Sequence, residues 1–291
     1  MIRLLHRFFP PTLLRQHLPP AFSAAPLAAL LFLATAPHAL ANICSRLDAN
    51  YSPGDTACDV GGKAITALNL GDFNGLDSLE TLDLSGNDLI SLPAGVFSIL
   101  GDLEWLDLSG NRLVNLQSGT FNGLGDLEEL NLSDNGLVSL SADVLSPLTN
   151  LEWFALEDNN LTTLPADVFK GLDNLESLYL SDNNLISLSA ASFNGLSDLE
   201  LLGLNGNKLT TLPADVFHGL PSLQSLGLSR NNIGSLPLEI LSKLSNLEKL
   251  YLRDNRLACL PRLPAKMTFL ALAPSGRDNE INSHRFSPCG G

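Results

Sequence analysis

Eight leucines, Leu79, Leu103, Leu127, Leu151, Leu175, Leu199, Leu223 and Leu247, recur at one constant spacing without a slip. A chain that repeats one short unit this way cannot close round a single globular core. Each unit can bury its apolar side only against the next copy, so the units must stack. Counting each leucine as position 1, apolar residues follow at positions 4 and 6, while positions 3, 5 and 7 are free to vary. That period-two alternation is the pattern of a short strand with one buried face, so each coil contributes one strand to a parallel sheet. Asparagine follows at position 9 in every coil, from Asn87 to Asn255. There its amide can turn inward and satisfy backbone groups as the chain leaves the sheet. The return half carries Leu at position 14 and then Phe97, Phe121, Phe169, Phe193 and Phe217 at position 19, with Leu145 and Leu241 in the same slot. Such rings should stack as an internal spine behind the sheet.

The eight segments follow L-x-x-L-x-L-x-x-N-x-L, as in LETLDLSGNDL, LEWLDLSGNRL, LESLYLSDNNL and LEKLYLRDNRL, with Phe154 and Ile233 the two apolar replacements in the leucine slots. This resembles the leucine-rich repeat family of the typical 24-residue type, over about residues 65 to 272. The resemblance implies an α/β fold, a right-handed horseshoe-shaped solenoid with short parallel strands on its concave face and loop or 3-10 turns on its convex face. Ile65, Leu68 and Leu70 look like a first strand. Met267, Leu270 and Leu272 give a last one that follows its predecessor sooner than the regular period would, in LPRLPAKMTFLAL. That segment resembles the shorter LPxLP repeat of bacterial leucine-rich proteins.

Both ends need caps, because an uncapped solenoid exposes its core. The four cysteines flank the repeats, Cys44 and Cys58 before them, Cys259 and Cys289 after. A stack of eight coils at about 4.8 Å each separates its ends by roughly 35 Å, far more than the ~4.4 to 6.8 Å between bridged Cα atoms. The pairs Cys44 with Cys58 and Cys259 with Cys289 remain. Residues 42–64 are then expected to form the N-terminal cap, 65–272 the solenoid, and 273–291 the C-terminal cap.

Residues 1–41 hold Arg3, Arg7 and Arg15, no acid, an apolar run from Ala21 to Leu33 and a small-residue exit, Ala39-Leu40-Ala41. That is the layout of a secretory signal peptide, and the run falls short of the ~20 apolar residues of a spanning helix. Disulfides suit the same destination. We expect a secreted or extracellular chain, periplasmic if its source is a Gram-negative bacterium, with no stable membrane span once the leader is removed. Without the leader, 14 basic residues face 31 acidic ones, a net charge of −17. Phosphate backbones call for the opposite sign, which argues against nucleic acid. Only His218 and His284 remain, far apart along the chain, which disfavours histidine metal sites and catalytic triads.

Function is then sought at the outward strand positions. Both tryptophans, Trp105 and Trp153, occupy position 3, and Tyr179 and Tyr251 occupy position 5. Core packing does not require aromatics there, since these slots face away from the leucines. Glu129 lies between the tryptophans, and Asp83, Asp107 and Glu157 add outward carboxylates. Exposed aromatics framed by charge have the composition of an interface hot spot. Positions 2, 3, 5, 7 and 8 carry 15 acids against Arg230, Lys249 and Arg253, so the face should attract a basic partner. Eleven of those acids sit at positions 2 and 8, where a recurring solvated residue explains them equally well.

Weaker signals accompany these. Asp134, Asp158 and Asp182 stack at position 8 and could share Ca²⁺, yet no Gly-rich calcium loop accompanies them. Sequons at Asn50, Asn131 and Asn160 matter only in a eukaryotic secretory pathway. The Glu128–Glu129 pair could serve glycosidase chemistry only in a cleft with a desolvated acid, which an open sheet is not expected to offer. No cofactor and no metal ion is expected. The resemblance implies a non-enzymatic recognition module that holds a protein ligand or a glycan, with Trp105, Trp153, Tyr179, Asp107, Glu129, Glu157 and Tyr251 as contacts. A structural or adhesive surface component, or an inhibitor of a secreted hydrolase similar to plant polygalacturonase inhibitors, are the alternatives.

Overall fold

The computed structural model describes residues 42–272. The expected leader, and the expected C-terminal cap with Cys289, lie outside the described residues. Ten three-residue strands form one parallel sheet in chain order: β1 (Ala57–Asp59), β2 (Thr81–Asp83), β3 (Trp105–Asp107), β4 (Glu129–Asn131), β5 (Trp153–Ala155), β6 (Ser177–Tyr179), β7 (Leu201–Gly203), β8 (Ser225–Gly227), β9 (Lys249–Tyr251) and β10 (Phe269–Ala271). Short helices α1 (Ile43–Leu47) and α2 (Ala142–Leu145) accompany them. Neighbouring strands pair one full repeat apart, as in Leu82 with Leu106, so every position forms its own row across the sheet. The last pair, Leu250 with Leu270, is closer in sequence, as the shortened final coil requires. Between coils, the position 2 carbonyl accepts two N–H groups of the next coil; Glu80 takes Glu104 at 2.8 Å and Trp105 at 3.0 Å.

The core is a column of fully buried leucines from positions 1, 4, 6 and 11, backed by the phenylalanines. Ring centroids lie 5.5 Å apart for Phe73–Phe97, 6.4 Å for Phe97–Phe121 and 6.2 to 6.3 Å along Phe169, Phe193 and Phe217. Leu145 interrupts this spine, and there the return half forms α2. Elsewhere it closes by i to i+3 backbone bonds such as Leu100 N–H to the Phe97 carbonyl at 2.9 Å.

The asparagine ladder is built as its uniformity demands. The Asn159 amide donates to the carbonyls of Leu132, Leu156 and Glu157, and its oxygen accepts the buried Leu137 N–H. Every full coil also turns at position 8 with a left-handed backbone, φ between 53° and 66°. Glycine fills the slot at Gly86, Gly110 and Gly206, aspartate at Asp134, Asp158, Asp182 and Asp254, and arginine at Arg230. Glycine and aspartate are the residues that tolerate this conformation best, so the position 8 acids serve the turn.

The N-terminal end differs from the sequence expectation. The first strand is Ala57–Asp59, with Cys58 and Val60 buried in the leucine slots one repeat before Leu82 and Leu84. Ile65, Leu68, Phe73 and Leu76 are the return half of that coil, and Leu70 is 70% exposed. The first coil hides because it lacks the opening leucine and the asparagine, which Asp55 and Lys63 replace. Helix α1, N-capped by Asn42, covers it, buries Ile43 and is held by the Arg46–Asp72 ion pair at 2.8 Å. The Cys44–Cys58 disulfide, 5.7 Å between Cα atoms, joins that helix to β1. Cys259 is also disulfide-bonded. Among the described residues no helix is long and apolar enough to cross a membrane.

Candidate partner-binding face

Residues 3, 5 and 7 of each coil line the outward face of the sheet in three rows. The position 3 row runs Thr81, Trp105, Glu129, Trp153, Ser177, Leu201, Ser225, Lys249, Phe269. The position 5 row runs Asp59, Asp83, Asp107, Asn131, Ala155, Tyr179, Gly203, Gly227, Tyr251, Ala271.

Trp153 and Tyr179 are diagonal neighbours whose rings pack at 5.4 Å with an interplanar angle of 48°. The small Ala155 beside Tyr179 in the position 5 row makes room for the tilt. Burial raises the Tyr179 phenol above its ordinary value against the pull of hydrogen bonds to Trp153 and Ser177, and the nearby Glu157 charge raises it further. Glu129 is registered directly beside Trp153. Trp153, Tyr179, Glu129 and Glu157 are thus brought together, and each is half-buried.

Trp105 is registered on the other side of Glu129 in the same row and faces a second feature. It lines an open cavity of about 540 Å³ between the sheet and the N-terminal segment, with Asp48, Tyr51, Asp59 and Asp83. Tyr251 is also separate, three strands from Tyr179, and packs at 5.2 Å on Phe269. Sequence reasoning missed Phe269, although it is position 3 of the shortened final coil, whose Met267 is legible in the same segment. It also missed a depression of about 450 Å³ beside Tyr251, lined by Asn205, Ser229, Arg230, Arg253 and Asp254.

The outward aspartates have a structural task. Oδ1 of Asp83 accepts the Ser85 N–H and Oδ1 of Asp107 the Ser109 N–H, both at 2.7 Å; Asn131 does the same for Ser133 at 3.1 Å. Asp59 holds Gly61 in the first coil. Asp107 is therefore first a cap for its own coil, and its second oxygen accepts from Asn131. Burial raises its pKa above the ordinary aspartate value, the Ser109 bonds oppose that, and Asp83 adds to it. Glu157 is raised by burial and then by Asp158, Asp182 and Asp134. The sheet thus holds partly desolvated carboxylates after all, but Asp107 and Glu157 stand two coils apart at different positions and form no acid pair.

At the C-terminal end the cap changes hands. The Ser229 N–H bonds to Oδ1 of Asn205 at 2.9 Å and the Arg253 N–H to Oγ of Ser229 at 3.1 Å, so position 7 of the preceding coil replaces position 5 of the same coil. Arg230 reaches two coils back to Asp182 at 2.9 Å, passing Gly206, where a Cβ would collide with the Asp182 carboxylate. One oxygen of Asp182 is thereby committed.

The leucine rich repeat family model matches residues 59–113, 103–161, 149–209 and 199–257. Among solved structures, the chain is similar to TLR13 in its complex with ssRNA13, with a TM-score of 0.66 and 34% identity over 71% of this chain and 31% of that one. It is similar to the Toll–Spatzle complex of Drosophila at a TM-score of 0.58 and 25% identity, over 72% of this chain and 35% of that one. The leucine-rich repeat domain of APL1 matches at a TM-score of 0.63 and 28% identity, over 75% of this chain and 55% of that one. The chain therefore spans between about a third and about half of these neighbours. A search of curated proteins gives no match. With four overlapping matches from residue 59 to 257, the chain belongs to the leucine-rich repeat family.

Proposed function

We propose that this chain is an exported recognition module that binds a protein partner through the outward face of β3–β6, without chemistry of its own. The observation that carries this is the Trp153–Tyr179 ring pair, held half-buried on a face where nothing in the repeat requires it, beside Glu129 and Glu157. Two rigid aromatics give a large contact area at low entropic cost, and the carboxylates select a partner with Lys or Arg opposite them. From β1 to β6, positions 3, 5 and 7 carry Asp59, Asp83, Asp107, Glu129 and Glu157 and no Lys or Arg. TLR13 is solved with a single-stranded RNA and Toll with Spatzle, so the fold takes ligands of both kinds. The acidic face favours the protein here, since phosphate contacts need cations. The leader-like residues 1–41 and the Cys44–Cys58 bridge support export.

The test is the affinity of a captured partner for Trp153→Ala. A hot-spot ring predicts a loss of about 1 to 4 kcal/mol with folding nearly untouched. Glu129→Gln should reduce the salt dependence of binding. Unchanged affinity in a folded Trp153→Ala protein overturns the proposal.

A further inference from the structure

At the N-terminal end of the sheet the open cavity of about 540 Å³ falls within the ~300 to 1,000 Å³ of pockets that hold ligands. Trp105 and Tyr51 line it together with Asp48, Asp55, Asp59 and Asp83, and no Lys or Arg does. The backbone accounts for only part of this charge. Asp48 is fully engaged, since its two oxygens accept the Asn50 N–H at 2.9 Å and the Asp59 N–H at 3.0 Å. Asp55, Asp59 and Asp83 each commit one oxygen, to the N–H of Ser52, Gly61 and Ser85 respectively. Among the described residues no donor meets the second oxygen of any of the three. Asp59 and Asp83 are direct cross-strand partners, and Gly61 leaves them room: a Cβ there would stand 3.0 Å from Oδ1 of Asp83 and 3.3 Å from Oδ1 of Asp59. Two carboxylates held side by side repel each other unless a cation joins them.

We infer that this cavity seats an arginine side chain of the protein partner, its guanidinium on Asp59 and Asp83 and against the Trp105 indole. This rests on the protein-binding proposal above and adds a second anchor to it. A guanidinium is planar, weakly hydrated and carries five donors, so it stacks on an aromatic ring while bonding two carboxylate oxygens at once. The compact ammonium of lysine does this less well. A hard metal ion needs six or more converging oxygens, and among the described residues no three acidic, His or Cys side chains converge in that way. The cavity is open, which suits a side chain delivered by a larger partner better than a small molecule that must be enclosed. Its outer wall, Tyr51 and Asp55, is fixed by the Cys44–Cys58 bridge and the Asp48 bonds, so the site stands formed before the ligand arrives. Glu129 lies between Trp105 and Trp153 in the position 3 row, two strand intervals or about 10 Å in all, so one partner reaches both anchors.

The sequence has only two tryptophans, so Trp153→Phe leaves Trp105 as the single indole reporter of this cavity. The full chain carrying that substitution is titrated with blocked glycine peptides whose central residue is arginine, lysine or citrulline, the last keeping the shape of arginine without its charge. The arginine peptide should change the Trp105 emission saturably and bind at least about threefold more tightly than the lysine peptide and about tenfold more tightly than the citrulline peptide. Adding Asp59→Asn and Asp83→Asn should lower the arginine affinity about tenfold, to the citrulline level. Asparagine already makes this cap in β4, where Oδ1 of Asn131 accepts the Ser133 N–H at 3.1 Å, so the fold should survive; the unfolding midpoint checks that. The inference is overturned by citrulline or lysine binding as tightly as arginine, by an arginine affinity that ignores the two asparagines, or by no saturable change at all. Because the reporter lacks the native Trp153 ring, such a failure leaves the protein-binding proposal to the captured-partner assay, where Trp153→Ala is the deciding variant.

Discussion

Replacing Asn159 by alanine removes four hydrogen bonds, but the ladder is redundant and the cost is smaller than four. The Leu132 carbonyl keeps the Asn135 amide at 3.2 Å, the Leu156 carbonyl keeps Asn183 at 2.8 Å, and the Glu157 carbonyl keeps the Asp134 N–H at 3.0 Å. Only the buried Leu137 N–H, bound to Asn159 Oδ1 at 3.0 Å, is left without its acceptor. One orphaned buried donor costs about 1 to 3 kcal/mol, and thinning three shared carbonyls adds about 1, so Asn159→Ala should destabilise by about 2 to 4 kcal/mol. Urea unfolding followed by circular dichroism measures this, with an unchanged m-value showing that the whole stack still unfolds together. A loss below about 0.5 kcal/mol would mean that water reaches Leu137, and one above about 6 would mean that the shared carbonyls are not shared; either refutes the redundancy.

Other perturbations follow from the same structure. Asp107, Glu157 and Asp158 all have pKa values raised in the folded chain, so the stability linked to them is fully present below the ordinary carboxylate range and is lost as pH rises through the raised values. The unfolding midpoint should therefore rise as pH is lowered through the raised values toward the ordinary carboxylate range, and Glu157→Gln should flatten that dependence. Converting Cys44 and Cys58 to serine opens a loop with a sequence separation of 14 residues and should cost about 3 kcal/mol, read by the same unfolding assay. Gly123 has φ of 95° and an added Cβ would lie 2.6 Å from the Ser98 carbonyl oxygen, so Gly123→Ala should cost well over ~1 kcal/mol. Gly125→Ala, with nothing within 4 Å, should cost far less.

The repeat made most of the fold legible, because a constant period fixes strand, turn and register together. It failed at Ala57–Asp59, where Asp55 and Lys63 erase the two marker residues while the buried pair Cys58 and Val60 preserves the strand. Outward aromatics were legible as non-core residues, and the structure brings Trp153 and Tyr179 into contact but seats Trp105 in the cavity by the N-terminal segment. The carboxylates were harder to read. Asp107 looks like a contact residue in sequence, yet its first oxygen belongs to the Ser109 N–H. Asp134, Asp158 and Asp182 look like a possible ion site, yet their left-handed φ assigns them to the turn. Backbone caps and dihedral angles leave no mark in a pattern of charge. The exchange of caps at Asn205 and Ser229, in which the Asn205 amide fills the space a side chain at Gly227 would need, is likewise invisible without coordinates.

The most direct test of recognition through this face is a binding screen of the purified protein against extracellular proteins, at low and at physiological salt, beside a Trp105→Ala/Trp153→Ala double variant. The expected result is a partner that binds more weakly in salt and whose affinity is lost in the double variant while the sheet's circular dichroism is kept. A partner held equally well by the folded double variant would contradict that expectation and move recognition off this face.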